Sequence, residues 1–319
     1  MTGAALRFDA VSKRYGAMPA IEGLSFEVRR GEMFGLIGPD GAGKTTTIRL
    51  TGGLIRRDAG RIVVLDRDPV RQHRELTGAI GYLSQRFSLY GDLSVDENIA
   101  FFAEIHGVRR FAPARDRLLE MTRLTPFRTR RADRLSGGMK QKLALACTLV
   151  HEPELLLLDE PTTGVDPVSR REFWKLLAEF LADGLTIVMA TPYLDEAERC
   201  ARVALLHEGR LLALDQPERL QRRMAGRLLE VSVEGTRPPM DLLRGLPGVA
   251  DVQVFGDRAH VRLAGEDARR ESEGIARALE QAHAGRASVR PIAASLEDVF
   301  IDLITGAGAS GAPPPGLQP

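Results

Sequence analysis

Gly38, Pro39, Asp40, Gly41, Ala42, Gly43, Lys44, Thr45 and Thr46 run in the spacing G-x-x-x-x-G-K-T, which suits a polyphosphate. The apolar residues Met33, Phe34, Gly35, Leu36 and Ile37 just before them predict a buried strand. Residues 46–50 just after them predict the first turn of a helix. In that setting the glycines let the backbone wrap an anion closely, with successive N–H groups turned to its oxygens. The helix N-terminus adds partial positive charge at the same point. Lys44 would reach the β- and γ-phosphates, and the Thr45 hydroxyl would hold Mg2+. A second group lies downstream, where the apolar run Leu155, Leu156, Leu157, Leu158 ends in Asp159 and Glu160. An aspartate at such a strand end holds Mg2+ directly or through water. The adjacent glutamate can orient and polarise an attacking water.

These residues need a sheet whose strands end together. Residues 6–11 and 24–28 predict strands. In the second, Leu24, Phe26 and Val28 alternate with Ser25 and Glu27, as in a half-buried antiparallel strand. Further strands are predicted at 60–65, 80–83, 155–158 and 185–190, with a hairpin from 203–206 and 210–213. Helical patterns fill 94–124, 139–150, 167–181 and 194–200. Strands alternating with helices predict a parallel-cored α/β domain, with an antiparallel portion before it. From about residue 226 the order becomes strand 228–233, helix 240–244, strands 249–254 and 259–263, helix 266–283, strand 288–292 and helix 295–304. That β-α-β-β-α-β order predicts a small ferredoxin-like α+β domain. Ser295 and Asp298 have capping-box spacing at the last helix. The expected divisions are 1–224, 225–305 and a disordered Gly, Ala and Pro tail at 306–319.

The length of 319 residues suits two domains. A net charge of +1 with 27% charged residues gives no electrostatic case for nucleic acid. Cys147 and Cys200 lack partners at metal-ligand spacing and read as core thiols of a reducing compartment. No signal peptide is evident at the N-terminus. No run approaches eighteen apolar residues, so a membrane role would come through a partner.

The segment Leu135, Ser136, Gly137, Gly138, Met139 stands shortly before the Asp159-Glu160 strand, and it resembles the signature loop of ABC-type ATPases. Gln85 matches that family's Q-loop, and residues 163–167, with Asp166, match its D-loop. Tyr15 lies where the family stacks an aromatic on adenine. The resemblance covers about residues 6–222. It implies a phosphate-loop, RecA-like ABC ATPase core with an antiparallel β subdomain and a helical subdomain. It implies ATP and Mg2+ as cofactors, with Thr45, Gln85 and Asp159 on the metal side and Glu160, Lys44 and Gln85 in catalysis. It also implies two ATP molecules sandwiched between two ATPase subunits. Each would touch the phosphate loop of one subunit and the signature loop of the other, Ser136, Gly137 and Gly138, with Asp166 of the D-loop also counted among the nucleotide-site residues.

Three positions depart from the family pattern. Pro192 stands in the slot of the switch histidine, and proline has neither donor nor titratable group, so slow or partner-dependent hydrolysis is expected. Asp40 replaces a common asparagine and is expected to point away from the anions or to pair with a cation. Met139 replaces the usual glutamine, a change expected to be harmless because the loop's donors are backbone N–H groups.

Residues 193–198 and 295–300 resemble stretches of ABC-2 type exporter ATPase subunits. They imply an ATPase subunit at the cytoplasmic face of the inner (plasma) membrane, held there by an integral membrane permease, with drug efflux the usual role. The second ATPase subunit is expected to be a copy or a histidine-bearing relative, and no nucleic acid is expected. The C-terminal domain would be regulatory or dimer-supporting. The alternative is a soluble ABC ATPase acting on ribosome or DNA, which the single phosphate loop and the absence of sustained heptads oppose. A GTPase is opposed by the lack of an N-K-x-D-like motif.

Overall fold

The computed structural model describes residues 3–85, 89–265 and 267–310. They divide into two compact units, one ending at Gln216 and the other beginning at Pro217.

The first unit contains β1 (Ala4–Tyr15), β2 (Met18–Arg29), β3 (Met33–Ile37), β4 (Ala59–Val64), β5 (Ile80–Leu83), β6 (Leu155–Asp159), β7 (Thr186–Thr191), β8 (Arg202–His207) and β9 (Arg210–Asp215). They make two sheets. One is antiparallel in the order β2-β1-β4; the other runs β5-β6-β7-β3-β8-β9. In the second sheet β5, β6, β7, β3 and β8 are parallel and β9 returns antiparallel. Every residue of β3, β6 and β7 is buried, as continuous apolar strands covered on both faces must be. On β2 the expected alternation holds, with Leu24, Phe26 and Val28 buried and Ser25 and Glu27 exposed. The two sheets are joined by stacked rings. Phe8 of β1 lies 4.7 Å from Phe26 of β2, and Phe26 lies 5.4 Å from Phe34 of β3. Such pairs add about 0.5–1.5 kcal/mol each beyond their burial, and they fix the antiparallel sheet against the strand that leads into the phosphate loop.

The helical pattern at 94–124 is two helices, Val95–Ile105 and Ala112–Met121, followed by a short 3-10 turn. Gly107 in the left-handed region and Pro113 in the first turn of the second helix account for the break. Ser94 and Glu97 form a capping box on the first helix. Buried Asn98 donates to the carbonyls of Tyr90, Leu93 and Ser94 and accepts from the Tyr90 N–H, which fixes the turn ahead of that helix. The helix expected at 194–200 is shorter, Leu194–Ala197.

The second unit contains β10 (Leu228–Val233), β11 (Val249–Phe255), β12 (Arg258–Leu263) and β13 (Ala287–Pro291), in the order β11-β12-β10-β13 with every pair antiparallel. That is the ferredoxin-like arrangement expected from the element order. Helix Ala268–Gln281 covers one face through Ile275 and Leu279. The final helix is tied to β12 by Asp298, 2.8 Å from His260, and by Asp302, 3.1 Å from Arg262. Two expectations change here. The division falls at 216/217, ahead of 224, because the short helix Pro217–Arg222 packs on the final helix. The final helix continues to Ser310, through residues expected to be a disordered tail. No proline intervenes before Pro313, so nothing in residues 306–310 removes a backbone donor from the helix. Residues 311–319 lie outside the described residues.

Candidate functional site

The carboxyl ends of β3, β7 and β6 lie side by side. Ile37 pairs with Thr191, Asp159 pairs with Ala190, and the Glu160 N–H donates to the Ala190 carbonyl at 2.8 Å. This register brings the residue before the phosphate loop, the Asp159-Glu160 pair and the switch segment to one edge, where α/β folds bind ligands.

The loop leaves β3 at buried Gly38 and enters helix Lys44–Thr51 through Gly43, at φ 97°. A Cβ on Gly43 would meet the Ala20 carbonyl at 2.7 Å, and one on Gly38 would meet the Leu206 carbonyl at 2.2 Å. Both positions therefore require glycine, one for φ and both for close approach. Pro39, Asp40 and Gly41 are exposed at the rim, while Ala42 packs inward. The Asp40 side chain is almost fully exposed, with its carboxylate 4.0 Å from the Lys44 ammonium. It thus points outward while sitting near a cation, which joins the two expected arrangements.

Lys44 is buried, and its ammonium donates to the carbonyls of Gly38 at 2.8 Å and Pro39 at 3.0 Å. Its Nζ is 3.6 Å from Glu160 Oε1. Gln85 Nε2 donates to the other Glu160 oxygen at 3.0 Å. Glu160 has φ 51°, left-handed for a non-glycine residue, and this turn directly after β6 aims its carboxylate back across the sheet edge. Thr45 Oγ1 donates to Asp159 Oδ1 at 2.9 Å, and the Tyr82 hydroxyl reaches Asp159 Oδ2 at 3.5 Å. Burial raises the Asp159 carboxyl above the ordinary carboxylate range, partly opposed by the Thr45 hydrogen bond. A buried carboxylate beside a hydroxyl is a hard-oxygen donor set that suits Mg2+, and a cation there would favour the ionised form. The residues present therefore fit the metal. Gln85 is held on Glu160, next to that pair.

Tyr15 ends β1, half-exposed, opposite Met18, and Lys13 Nζ lies 5.7 Å from its ring. The partner strand β2 is the one whose Ala20 touches Gly43. Ser136 caps helix Gly137–Leu149 and accepts from the Met139 N–H at 3.3 Å. Asp166 caps helix Pro167–Ala182 and accepts from the N–H groups of Val168 at 3.1 Å and Ser169 at 3.0 Å, which lowers its pKa. The two caps meet at Gly138, where a Cβ would fall 2.1 Å from Ser169 Oγ. Gly137 faces open space. The structure thus gathers Lys44, Thr45, Gln85, Asp159 and Glu160 into one cluster, and Ser136, Gly137, Gly138 and Asp166 into another.

Residues 21–163 match the family model described as "ABC transporter". The chain is 41% identical over 322 aligned residues to the probable multidrug ABC transporter ATP-binding protein YbhF of Escherichia coli (strain K12), covering 98% of this chain and 54% of that protein. It is 35% identical to the daunorubicin resistance ATP-binding protein DrrA3 of Streptomyces coeruleorubidus, over 95% of this chain and 96% of that one. The chain belongs to the ATP-binding subunits of ABC transporters. It spans about half the length of the E. coli relative. Among solved structures, cbiO1 of Clostridium perfringens, part of the ABC transporter complex cbiONQ, superposes with a TM-score of 0.63 at 28% identity, covering 68% of this chain and 90% of that one. The ABC ATPase core is thus the fold of the first unit.

This ABC subunit carries a third group, whose partners the sequence does not reveal. Glu196 is fully buried and binds Thr162, Thr191 and Arg170. The resemblance of residues 193–198 to exporter ATPase subunits covers Glu196 but gives it no role, and within the acidic run 195–198 a solvated face is the default reading. Tyr82 was missed; its place beside Asp159 follows from strand pairing (β5 against β6) and not from spacing.

Proposed function

We propose that this chain binds and hydrolyses ATP as the nucleotide-binding subunit of an ABC-2 type exporter, at the cytoplasmic face of the membrane, and powers a separate permease. One observation carries the reading. Lys44, Gln85 and Glu160 converge within 3.6 Å contacts, beside the Thr45–Asp159 pair at the mouth of the glycine loop. Lys44, resting on the loop's own carbonyls, is placed to exchange them for phosphate oxygens. Thr45 and Asp159, with Gln85 adjacent, would hold Mg2+, which when bound neutralises charge on the phosphates. Glu160, fixed by Lys44 and Gln85, orients and polarises the attacking water. Ser136, Gly137 and Gly138 offer a helix N-terminus to the γ-phosphate of an opposing subunit, so ATP joins the two and its cleavage lets them part.

Export is supported by relatives named for multidrug transport and daunorubicin resistance. No helix among the described residues is long and apolar enough to cross a membrane, in keeping with a permease on a separate chain. The pairing partner is a second copy or a histidine-bearing subunit. ATP turnover with magnesium tests the reading. Lys44→Ala and Glu160→Gln should each lower kcat/KM by roughly 100-fold or more. Turnover in Glu160→Gln equal to that of the unaltered protein would remove the assigned base.

A further inference from the structure

Glu196 is fully buried, and both of its carboxylate oxygens are engaged. Oε1 accepts from Thr162 Oγ1 at 2.5 Å and from Arg170 Nε at 2.8 Å; Oε2 accepts from Thr191 Oγ1 at 2.7 Å. The Thr191 hydroxyl in turn accepts from the Tyr193 N–H at 3.1 Å. Thr162 lies two residues after Glu160. Thr191 ends β7, just before Pro192. Arg170 lies in the first turns of the helix capped by Asp166, and its guanidinium sits 4.9 Å from the Tyr193 ring centre. One buried carboxylate therefore fastens the segment after the water-polarising glutamate, the switch segment and the Asp166-capped helix.

A buried carboxylate with one ion pair contributes little net stability compared with an apolar residue of its size. Its distinctive contribution here is geometric, because it fixes three backbone segments relative to one another at the sheet edge. In this chain the switch segment has no side-chain donor at Pro192, and the Tyr193 N–H is committed to Thr191. The position of that segment then has to be set from behind.

We propose that Glu196 is a positioning residue for ATP hydrolysis, locking the Thr191–Tyr193 switch segment to the backbone that follows Glu160 and to the Asp166-capped helix. It acts through Thr162 and Thr191 and does not touch nucleotide. The inference rests on the hydrolysis reading, and its structural half is measurable without turnover.

The decisive variants are Thr162→Val and Thr191→Val, which keep side-chain shape and remove one hydroxyl each. Each should lower kcat by roughly 10- to 100-fold, the scale of a small misplacement around a reacting centre, with KM for ATP changed less than about twofold. The double variant should cost little more than either single one, because both break the same linkage. Asp195→Asn, at the exposed partner of Arg170, should stay within about twofold of the unaltered protein.

Hydrogen exchange supplies the second readout. The amides of Thr163 and Val165 bond to the carbonyls of Glu160 and Thr162. Thr191→Val should speed their exchange by roughly tenfold, although the substitution lies on another strand. Unchanged exchange at residues 163–165 overturns the proposal, as does a kcat loss that is fully additive. An unaltered protein without turnover would instead count against the hydrolysis reading, and the exchange result would still decide this one.

Discussion

Asp159 shows how a single side chain can serve a site at the expense of the fold. Its carboxyl is raised by burial, so between the ordinary aspartate pKa and the raised value the folded chain holds more protons than the unfolded one. Stability therefore falls as pH rises through that window and stays lower above it. Asp159→Asn should then raise the melting temperature of the metal-free protein at neutral pH. The same variant should lose magnesium-dependent turnover. A lower melting temperature in chelator would mean that the carboxylate is already well balanced by Lys44 and Arg49. At this scale the sequence was informative where chemistry fixes spacing. Lys44, Thr45, Asp159 and Glu160 were legible because a phosphate loop and a strand-end carboxylate leave little freedom. Glu196 was not, because its partners lie 34, 26 and 5 residues away and meet only through the order of the strands. A buried carboxylate in an acidic run looks like a surface one until its neighbours are known.

Elements were legible where periodicity was clean and less so where helices adjoin. The buried strands and the β2 alternation follow directly from apolar pattern, whereas 94–124 keeps a helical pattern across the break at Gly107. The junction between that helical portion and the sheet holds a pH-sensitive contact. His106 ends helix Val95–Ile105 and stacks on His151, with ring centres 3.8 Å apart. Burial, with His106 adding to it, pushes His151 down to about 4. Its Nε2 lies 3.1 Å from the Ile80 carbonyl, and its Nδ1 is buried without a partner. A proton on Nδ1 would have no acceptor there, so the ring folds neutral. The unfolded chain binds that proton near pH 6.5 and the folded chain only near 4. Stability is thus fully present above about 6.5 and is lost as pH falls toward 4, by at most about 3 kcal/mol. His151→Phe should flatten this part of the urea-unfolding profile, leaving the difference in stability between pH 7 and pH 4.5 smaller by roughly 1–3 kcal/mol. An unchanged acid limb would assign the loss to other groups.

The whole molecule joins two units, each with its own core. Within the first, the residues of the candidate site fall into two clusters, and the proposed function assigns them to opposite sides of a nucleotide. Lys44, Thr45, Asp159 and Glu160 can hold nucleotide from one side, while Gly137 faces open space at the start of its helix. On that proposal an anion held by the first cluster and capped by the second cluster of another subunit would link the two only while the terminal phosphate remains. Glu160→Gln chains, which keep nucleotide, should therefore pair in ATP with magnesium and stay single in ADP, as sedimentation velocity would record. Adding Gly138→Ala should weaken pairing by roughly tenfold or more. The new methyl would collide with Ser169 and push the Ser136-capped helix from its place against the Asp166-capped one. Nucleotide binding to each chain should be unchanged, since Gly138 lies in the second cluster. If Glu160→Gln chains bind ATP yet stay single, two copies do not suffice. The partner would then be a different subunit, one that brings the switch side chain which Pro192 lacks.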